Sequence, residues 1–354
     1  MHRLVECLTC TVIGNNRFAR SMKEGKAQMS AISADPRNTR HTLGLVVAFI
    51  GACFWGFSGI CIQYLQEASA LNPLFITCVR AVTAAILFIA LIAMRYRAQL
   101  KALLASPTYV ALTCLFGLGL FGSQSTYAVS TGITNAGTAT VLQMLASVFV
   151  LMIACVKARR APRLRELAAI VLAITATWLI ATKGDPGTLN IPMAGLAWGI
   201  INALAVTLYL IAPERLYARF SSIMVIGCGI CISAVVSTVP LIAAALLSPE
   251  NTASLIPDAA SIAPLSWLAL IGGTGALGTF AAFGMYLWGA SIIGSVKGSL
   301  IGVAEPATAC ILSAALLGTA FTGADWLGFI LMAAMLVVIS LPQRNAGKAA
   351  RATQ

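Results

Sequence analysis

Three ionisable side chains lie within apolar stretches of this 354-residue sequence, at Arg80, Lys297 and Glu305. A charge in such a stretch is costly to bury and is usually functional. Glu305 could accept a proton or contact the amine of a solute. Arg80 could bind the carboxylate of a solute, or it could make a structural bond to a helix end. Lys297 could contact a solute, or its long side chain could extend to the nearby aqueous surface.

The segment around Glu305 carries small residues at helical spacing. At about 100° per residue, Gly294, Gly298, Gly302 and Glu305 share a helix face roughly 80° wide. Pro306 has no backbone N–H, so it would leave the carbonyl of Gly302 without a helical partner. We therefore expect this helix face to border open space at membrane depth. It would carry a carboxylate, a free carbonyl and glycines that serve packing or hinge motion.

Aromatic and amide side chains are further candidates for contact with a solute. The aromatic candidates are Trp55, Tyr127, Tyr209, Tyr286 and Trp288. The amide candidates are Gln124, Asn135, Gln143 and Asn202. Rings near the ends of membrane helices more often anchor the protein at the interface. Hydrogen bonds between helices explain each amide equally well.

Metal, redox and nucleotide sites are not indicated. The two histidines, His2 and His41, lie outside the apolar stretches, and neither Cys-x-x-Cys pair has the second pair or histidine that a zinc site needs. Two G-x-G-x-x-G strings, starting at Gly117 and Gly273, lie inside apolar stretches, where close helix packing explains them better than a dinucleotide. Without a Walker-type loop, direct coupling to ATP is not supported. We expect no cofactor and no metal.

The composition is typical of a polytopic membrane protein, with 59% hydrophobic and 10% charged residues. The net charge of +12 comes from basic residues in short loops, so nucleic acid is not an expected partner. Apolar runs of membrane-spanning length predict an all-α integral membrane protein with ten transmembrane helices. These runs cover 43–65, 73–94, 108–128, 135–156, 165–182, 193–212, 221–247, 265–289, 294–318 and 323–341.

The basic residues predict the orientation of these ten helices in the bilayer. Of the 23 Lys and Arg residues, all except Arg80 and Lys183 fall in the tails and in alternate loops. Because cytoplasmic loops are enriched in Lys and Arg, this places both termini in the cytoplasm. We expect residues 1–42 to form a disordered basic tail and residues 343–354 to form a second cytoplasmic tail.

The apolar runs repeat along the chain. A shift of 159 residues lays Tyr127 on Tyr286, Gln143 on Gly302, and the small-polar stripe of the fourth run on the glycine stripe of the ninth. Five helices is an odd number, so the second half would enter the membrane in the opposite sense. We therefore expect two inverted five-helix repeats, over residues 43–184 and 190–342.

These features resemble the drug/metabolite transporter superfamily, in its ten-helix EamA-like branch, over nearly all of the chain outside the two tails. The residues that carry the resemblance are Trp55-Gly56, Asn72-Pro73, Arg80, Glu305-Pro306-Ala307, the ALLG string that ends at Gly318, and Trp326-Leu327-Gly328. Two positions depart from the family pattern. Thr319 follows ALLG where an acidic residue is frequent, and Ser147 stands where the first half often has a proline.

The resemblance implies a secondary transporter of the inner or plasma membrane that exports amino acids or related small metabolites by alternating access. Drugs and nucleotide sugars are the alternative solutes, and proton coupling and a homodimer are compatible with this interpretation. A membrane-embedded enzyme usually needs paired acids, histidines or a metal cluster, and this sequence has one intramembrane carboxylate. A receptor that binds a ligand without transporting it is the remaining alternative.

Overall fold

The computed structural model describes residues 36–185, 187, 189–247 and 255–340. Throughout these ranges the chain is helical and has no strand, which confirms the predicted all-α class. The helices used below are α1 (Pro36–Ser69), α2 (Pro73–Arg95), α3 (Arg97–Leu104), α4 (Pro107–Ile133), α5 (Ala136–Gln143), α6 (Ala146–Lys157), α7 (Leu164–Thr182), α8 (Met193–Ile211), α9 (Ser222–Leu247), α10 (Pro264–Ile293), α11 (Ser295–Ile301), α12 (Ala304–Leu317) and α13 (Gly323–Ser340).

Two of the predicted segments lie wholly or largely outside the described residues, namely the tails 343–354 and 1–42. Where the structure does describe the N-terminal tail, it differs from the prediction, because α1 begins at Pro36 rather than after residue 42. Proline is favoured in the first turn of a helix, where its missing N–H costs no hydrogen bond. The first helix therefore extends beyond its apolar run.

Eight helical segments of the described chain are long and apolar enough to cross a membrane, or nine when α3 and α4 are counted as one span bent by 104°. One of the eight comprises α5 and α6 together, as Ala136–Lys157. The 14-residue α12 is apolar but falls short of a span by itself. The chain is an integral membrane protein, and the structure divides the ninth predicted run into α11 and α12.

The run 294–318 is not the single stripe-bearing helix that we expected. Gly294 has a φ of 87° and lies between α10 and α11, so it does not share a helix with Glu305. A second break falls at Gly302 and Val303, ahead of Pro306, which occupies the first turn of α12. The Gly302 carbonyl accepts the Glu305 N–H at 3.1 Å, so it is not free as predicted.

A matching break divides the fourth predicted run. The helix α5 ends at Gln143 and α6 begins at Ala146, with a tightened turn in which the Met144 N–H donates to the Val141 carbonyl at 3.1 Å. Shifted by 159 residues, Gln143 falls on Gly302 and Asn135, which precedes α5, falls on Gly294, which precedes α11. Two short helices thus begin at equivalent residues and end within one residue of each other.

The last helices of the two halves also begin alike. Glu166 in α7 accepts the backbone N–H of Arg163 at 2.7 Å, and Asp325 in α13 accepts the backbone N–H of Thr322 at 2.7 Å. In each case the acid satisfies an N–H that lacks a helical partner, three residues before it. Outside the spans, the Arg160 guanidinium donates to Glu166 at 2.6 Å, and this hydrogen bond raises the pKa of Arg160.

The helix α1 packs at small residues against α10 and α12. A Cβ atom at Gly56 would lie 2.6 Å from the Glu305 carbonyl oxygen and 2.8 Å from the Thr308 side chain. A Cβ atom at Gly51 would lie 2.7 Å from the backbone of Tyr286. Gly56 therefore lets the first turn of α12 approach α1, beside Trp55, and this contact brings Glu305 to the centre of the molecule.

Both G-x-G-x-x-G strings lie in helix contacts. In the first string, a Cβ atom at Gly119 would be 3.0 Å from the Tyr209 backbone on α8. In the second, a Cβ atom at Gly275 would be 2.7 Å from the Thr83 side chain on α2. The glycines thus allow close packing, which agrees with our interpretation of both strings.

Candidate functional site

A small polar cavity lies between α1, α2, α4, α5, α8, α10 and α12, with a volume of about 70 Å³. Seven of the candidate residues line it, and these are Trp55, Arg80, Gln124, Tyr127, Gln143, Tyr209 and Glu305. Ser58, Gly59, Leu120, Ser123 and Phe283 complete the lining. The cavity joins helices from both halves of the chain, so residues more than 200 positions apart share one space.

Glu305 enters the cavity from the first turn of α12. Its Oε1 accepts a hydrogen bond of 3.2 Å from Nε2 of Gln143, the last residue of α5. The end of α5 and the start of α12 therefore meet at this bond, beside the breaks that follow α5 and α11. The bond involves one of the two carboxylate oxygens, which leaves Glu305 with further hydrogen-bonding capacity toward a solute.

Arg80 enters from the opposite side of the cavity, on α2, and its side chain is buried. Its Nε donates to Oγ1 of Thr279 on α10 at 2.7 Å. Thr279 lies in a widened part of α10, Leu268–Ala281, where hydrogen bonds span five residues. Its own hydroxyl donates to the Thr274 carbonyl at 2.9 Å. The wide turns thus orient the hydroxyl that holds the guanidinium.

Arg80 and Glu305 line the same cavity, so both charges face one space. They do not form a direct ion pair, since the one pair within 4.0 Å among the described residues joins Arg160 and Glu166. Arg80 is buried and Glu305 is partly buried, and two such charges held apart remain poorly compensated in a low-dielectric interior. A solute with a negative group for Arg80 and a positive group for Glu305 would compensate both.

The cavity also contains unused hydrogen-bonding groups. Within the described chain, Ser58 Oγ and Gln124 Oε1 are buried and have no protein partner. Buried polar groups normally have a partner, which is another protein group, water or a ligand. Ser58 donates or accepts and Gln124 Oε1 accepts, so the pair can bind a polar solute from α1 and α4.

Aromatic rings form one wall of the cavity. The Trp55 ring lies 5.0 Å from the Phe283 ring in an edge-to-face arrangement and 4.8 Å from the Tyr286 ring. The Tyr127 hydroxyl bonds to the Thr140 hydroxyl at 2.8 Å and contacts Gly59, where a side chain would displace it. This wall presents flat apolar surfaces opposite the charged groups.

Three predicted site residues lie beside the cavity without lining it. Tyr286 supports Trp55 and donates to the Gly298 carbonyl at 3.0 Å. Asn202 donates to the Ser123 carbonyl at 2.7 Å, so it acts here as a helix–helix bond between α8 and α4. Asn135 caps α5 by accepting the Thr138 N–H at 2.8 Å.

The remaining two candidates lie farther out. Lys297 is exposed, and its Nζ is 2.8 Å from Nε2 of His41 at the start of α1. The Trp288 side chain is 43% exposed on the surface of α10, where an interfacial anchor is the better explanation. Of the glycines predicted to serve packing or hinge motion, Gly298 packs against Ala290. A Cβ atom added at Gly298 would lie 3.2 Å from the Ala290 Cβ atom.

Ser58, Ser123 and Phe283 line the cavity but were not among the predicted residues. Ser58 follows Trp55 by three positions and Phe283 precedes Tyr286 by three, so each shares a helix face with a predicted neighbour. Helical spacing from those two rings could have identified both. The same spacing marks Ser123, which precedes Tyr127 by four positions on α4.

A polar network closes the molecule between the cavity and the ends of α1 and α12. Oε1 of Gln63 accepts the Ala136 N–H at 2.9 Å and the Ser313 hydroxyl at 2.9 Å, while Nε2 donates to Thr319 at 3.0 Å and to Glu67 at 2.8 Å. Gln63 thereby links α1 to the start of α5 and the end of α12. Thr319 is one of the two residues at which this sequence departs from the resembled family.

The described residues contain no group of three or more His, Cys, Asp or Glu side chains that could hold a metal ion. The candidate site is therefore built from one cation, one anion, neutral polar groups and aromatic rings. Such a set can bind and orient a polar solute.

Comparison with known proteins adds three findings. The model of the EamA-like transporter family matches the chain twice, over residues 42–182 and 193–341. The uncharacterized inner membrane transporter YicL of Salmonella typhimurium is 31% identical over 307 residues, or 87% of this chain and 98% of that protein. The crystal structure of another protein, 18% identical, covers 84% of this chain and 96% of its own, with a TM-score of 0.53, and shows a similar fold.

Proposed function

Because this chain belongs to the EamA-like transporter family, we propose that it exports a small zwitterionic metabolite, such as an amino acid, across the inner membrane by alternating access. The observation that carries this proposal is the presence of Arg80 and Glu305 in one small cavity without a direct ion pair. Membership of a family of transporters rather than enzymes supports movement of a solute as the function. The pair of charges in the cavity suggests which solute.

An amino acid matches the cavity group by group. Its carboxylate would bind the Arg80 guanidinium, which is suited to such groups. Its ammonium would bind Glu305, and Ser58 and Gln124 would supply neutral hydrogen bonds. Its side chain would lie against the ring of Trp55. Each of these partners already faces the cavity.

Larger solutes are less well supported. A cavity of about 70 Å³ has room for several water molecules. A nucleotide sugar carries two phosphate charges, whereas Arg80 is the one cation in the lining. A cationic drug would leave Arg80 without a partner, so the alternative solutes fit this arrangement less well than an amino acid.

We further propose ten transmembrane helices in two inverted repeats, over residues 43–184 and 190–342, with both termini in the cytoplasm. The double match of the family model supports two repeats. The equivalent breaks after α5 and α11 and the shared caps at Glu166 and Asp325 support the same division. In this arrangement α11 and α12 together form the ninth span.

Alternating access requires contacts that close each end of the cavity, and we call each set of closing contacts a latch. The Gln63 network holds α1, α5 and α12 together at one end. At the other, Lys297 on α11 contacts His41 on α1. Opening one latch while the other stays closed would expose the cavity to each side in turn. The breaks next to Gln143 and Gly302 would absorb the motion.

Counter-flow in proteoliposomes tests this function. Vesicles containing the full-length protein are loaded with one unlabelled solute from a panel of amino acids, cationic drugs and a nucleotide sugar, and uptake of its labelled form is measured. We expect counter-flow for at least one amino acid and none for the nucleotide sugar. Counter-flow of drugs alone would contradict the proposal.

A further inference from the structure

A second cavity lies away from the solute site, between α2, α3, α4 and α9, and we refer to it as the α3 cavity. It has a volume of about 450 Å³, and its lining is almost entirely apolar. Ile92, Leu103 and Ile232 are typical of that lining, and Arg97 is the one charged residue in it. A polar solute of the kind proposed above would find few partners here.

The α3 cavity is bounded by a helix that runs across the bundle. The axis of α3 is bent by 104° from that of α4, so if α4 crosses the bilayer then α3 lies along its surface. Leu103 on α3 is buried against the bundle, whereas Arg97 and Lys101 are exposed. A helix with an apolar inner face and basic outer residues is typical of the membrane interface.

The cavity is open toward the hydrocarbon rather than toward water. Ile89 on α2 is 55% exposed and Leu104 on α3 is 61% exposed, and both line the cavity. In a membrane such surfaces contact acyl chains. The opening is therefore reached from within the bilayer, by a molecule with an apolar chain.

The rim of the cavity is basic. Arg97 and Lys101 are four residues apart on α3, so their side chains are neighbours on one helix face. No acidic residue occurs in α3 or in the lining of the cavity. Arg219, which lies over the Tyr109 ring at 5.8 Å, adds positive charge at the start of α9. Charge complementarity therefore favours an anionic headgroup.

We propose that the α3 cavity binds an anionic phospholipid, with an acyl chain along the apolar lining and its phosphate at Arg97 and Lys101. The site is distinct from the solute cavity, and its occupant comes from the surrounding leaflet. Near a membrane surface each Lys or Arg contributes about 1 kcal/mol toward anionic lipid. The two charges together thus predict a preference for anionic over zwitterionic lipid of about tenfold or more.

Native mass spectrometry of the full-length protein in detergent tests the proposal. The protein is titrated with phosphatidylglycerol or with phosphatidylcholine that has the same acyl chains. We expect one phosphatidylglycerol to be retained about tenfold more strongly than phosphatidylcholine. The double variant Arg97→Gln/Lys101→Gln should lose this preference. Its matched control, Lys157→Gln/Arg159→Gln, removes the same charge from exposed residues between α6 and α7 and should retain the preference.

Two further measurements test whether the ligand is a lipid held in the α3 cavity rather than a free phosphate compound. Glycerol phosphate, which has the headgroup charge without chains, should not displace the lipid. Cys231→Trp fills the cavity without changing the rim, and should weaken retention of phosphatidylglycerol even if the charge variants fold poorly. Equal retention of both lipids, displacement by glycerol phosphate, or unchanged retention by Cys231→Trp would overturn the proposal.

Discussion

Arg80, which is buried, and Glu305, which is partly buried, set the chemistry of the central cavity because neither has an ion-pair partner in contact. Arg80 is held by Thr279 and Glu305 by Gln143, both neutral, so neither charge is fully compensated. Removing a partner from a buried charge is costly, and a bound solute of opposite charge lowers that cost. Glu305 is also the candidate proton acceptor of the sequence analysis, and in that role it would accept a proton when the solute leaves and release it when the next solute amine binds.

This role leads to the first prediction, at Glu305. We expect Glu305→Gln to abolish solute exchange driven by a pH gradient, since glutamine cannot carry a proton. The amide preserves side-chain size and can still bond to Gln143, so the fold should be maintained. Imposed pH gradients across proteoliposomes provide the measurement, with thermal unfolding of the variant in detergent as the control. Exchange driven by pH at the wild-type rate would exclude Glu305 as the proton carrier.

At the residue scale, the two charged residues that line the cavity were easier to predict from the sequence than the residues around the cavity. Arg80 and Glu305 were predicted because an intramembrane charge is rare, and both line the cavity. Lys297 and Trp288 were also predicted and lie outside it. Helical spacing relates residues within one helix, but the breaks at Gly294 and Gly302 change that relation. Nothing local to Lys297 indicates that it meets His41, 256 residues earlier.

Among the helices, the contact between α1 and α12 positions Glu305, and it depends on the absence of a side chain at Gly56. We predict that Gly56→Ala destabilises the protein by about 1–3 kcal/mol, the usual cost of overpacking, because the new Cβ would lie 2.6 Å from the Glu305 carbonyl. Thermal unfolding in detergent measures this change.

Gly284→Ala is the matched control for Gly56→Ala. Gly284 is also helical, in α10, and nothing lies within 4 Å of its Cβ position. Alanine there should be neutral or slightly stabilising, since it favours the helix. Equal losses of stability in the two variants would show that close approach of α12 is not what Gly56 provides.

The Gln63 network is the second feature at this scale. Gln63→Leu keeps a similar volume but removes four hydrogen bonds, three of which join α1 to other parts of the chain. We predict that it shifts the protein toward the state open at this end, so that a cysteine substituted at Gln124 reacts faster with a membrane-impermeant thiol reagent. The comparison is with Gln124→Cys alone. An unchanged labelling rate would contradict the latch.

The order of the helices was predictable from apolar runs, whereas the breaks within them were not fully predictable. Pro306 indicated a break, yet the chain turns three residues earlier, since proline fits the first turn of the following helix. The break at Met144 has no proline or glycine to mark it. It follows from the packing of α5 between α1 and α12, which involves residues far apart in sequence.

At the scale of the whole molecule, the fourth and ninth predicted runs each break at an equivalent place and each contribute a residue to one cavity, and inverted repeats would explain this. The basic loops predict that both termini are cytoplasmic. Reporter fusions that are active on one side of the membrane, placed after residue 354 and before residue 36, should both report the cytoplasm. Termini on opposite sides would be incompatible with two inverted halves of five helices.

The most direct measurement of the central claim compares three solutes in proteoliposomes containing wild-type protein or Arg80→Gln. The solutes are the amino acid with the strongest counter-flow, the amine that lacks its carboxylate, and the N-acetylated acid that lacks its positive charge. We predict that the wild type exchanges the amino acid at least tenfold faster than either analogue, since each analogue leaves one buried charge unpaired. Arg80→Gln should lose the preference over the amine. Equal exchange of all three solutes by the wild type would contradict recognition of a zwitterion between Arg80 and Glu305.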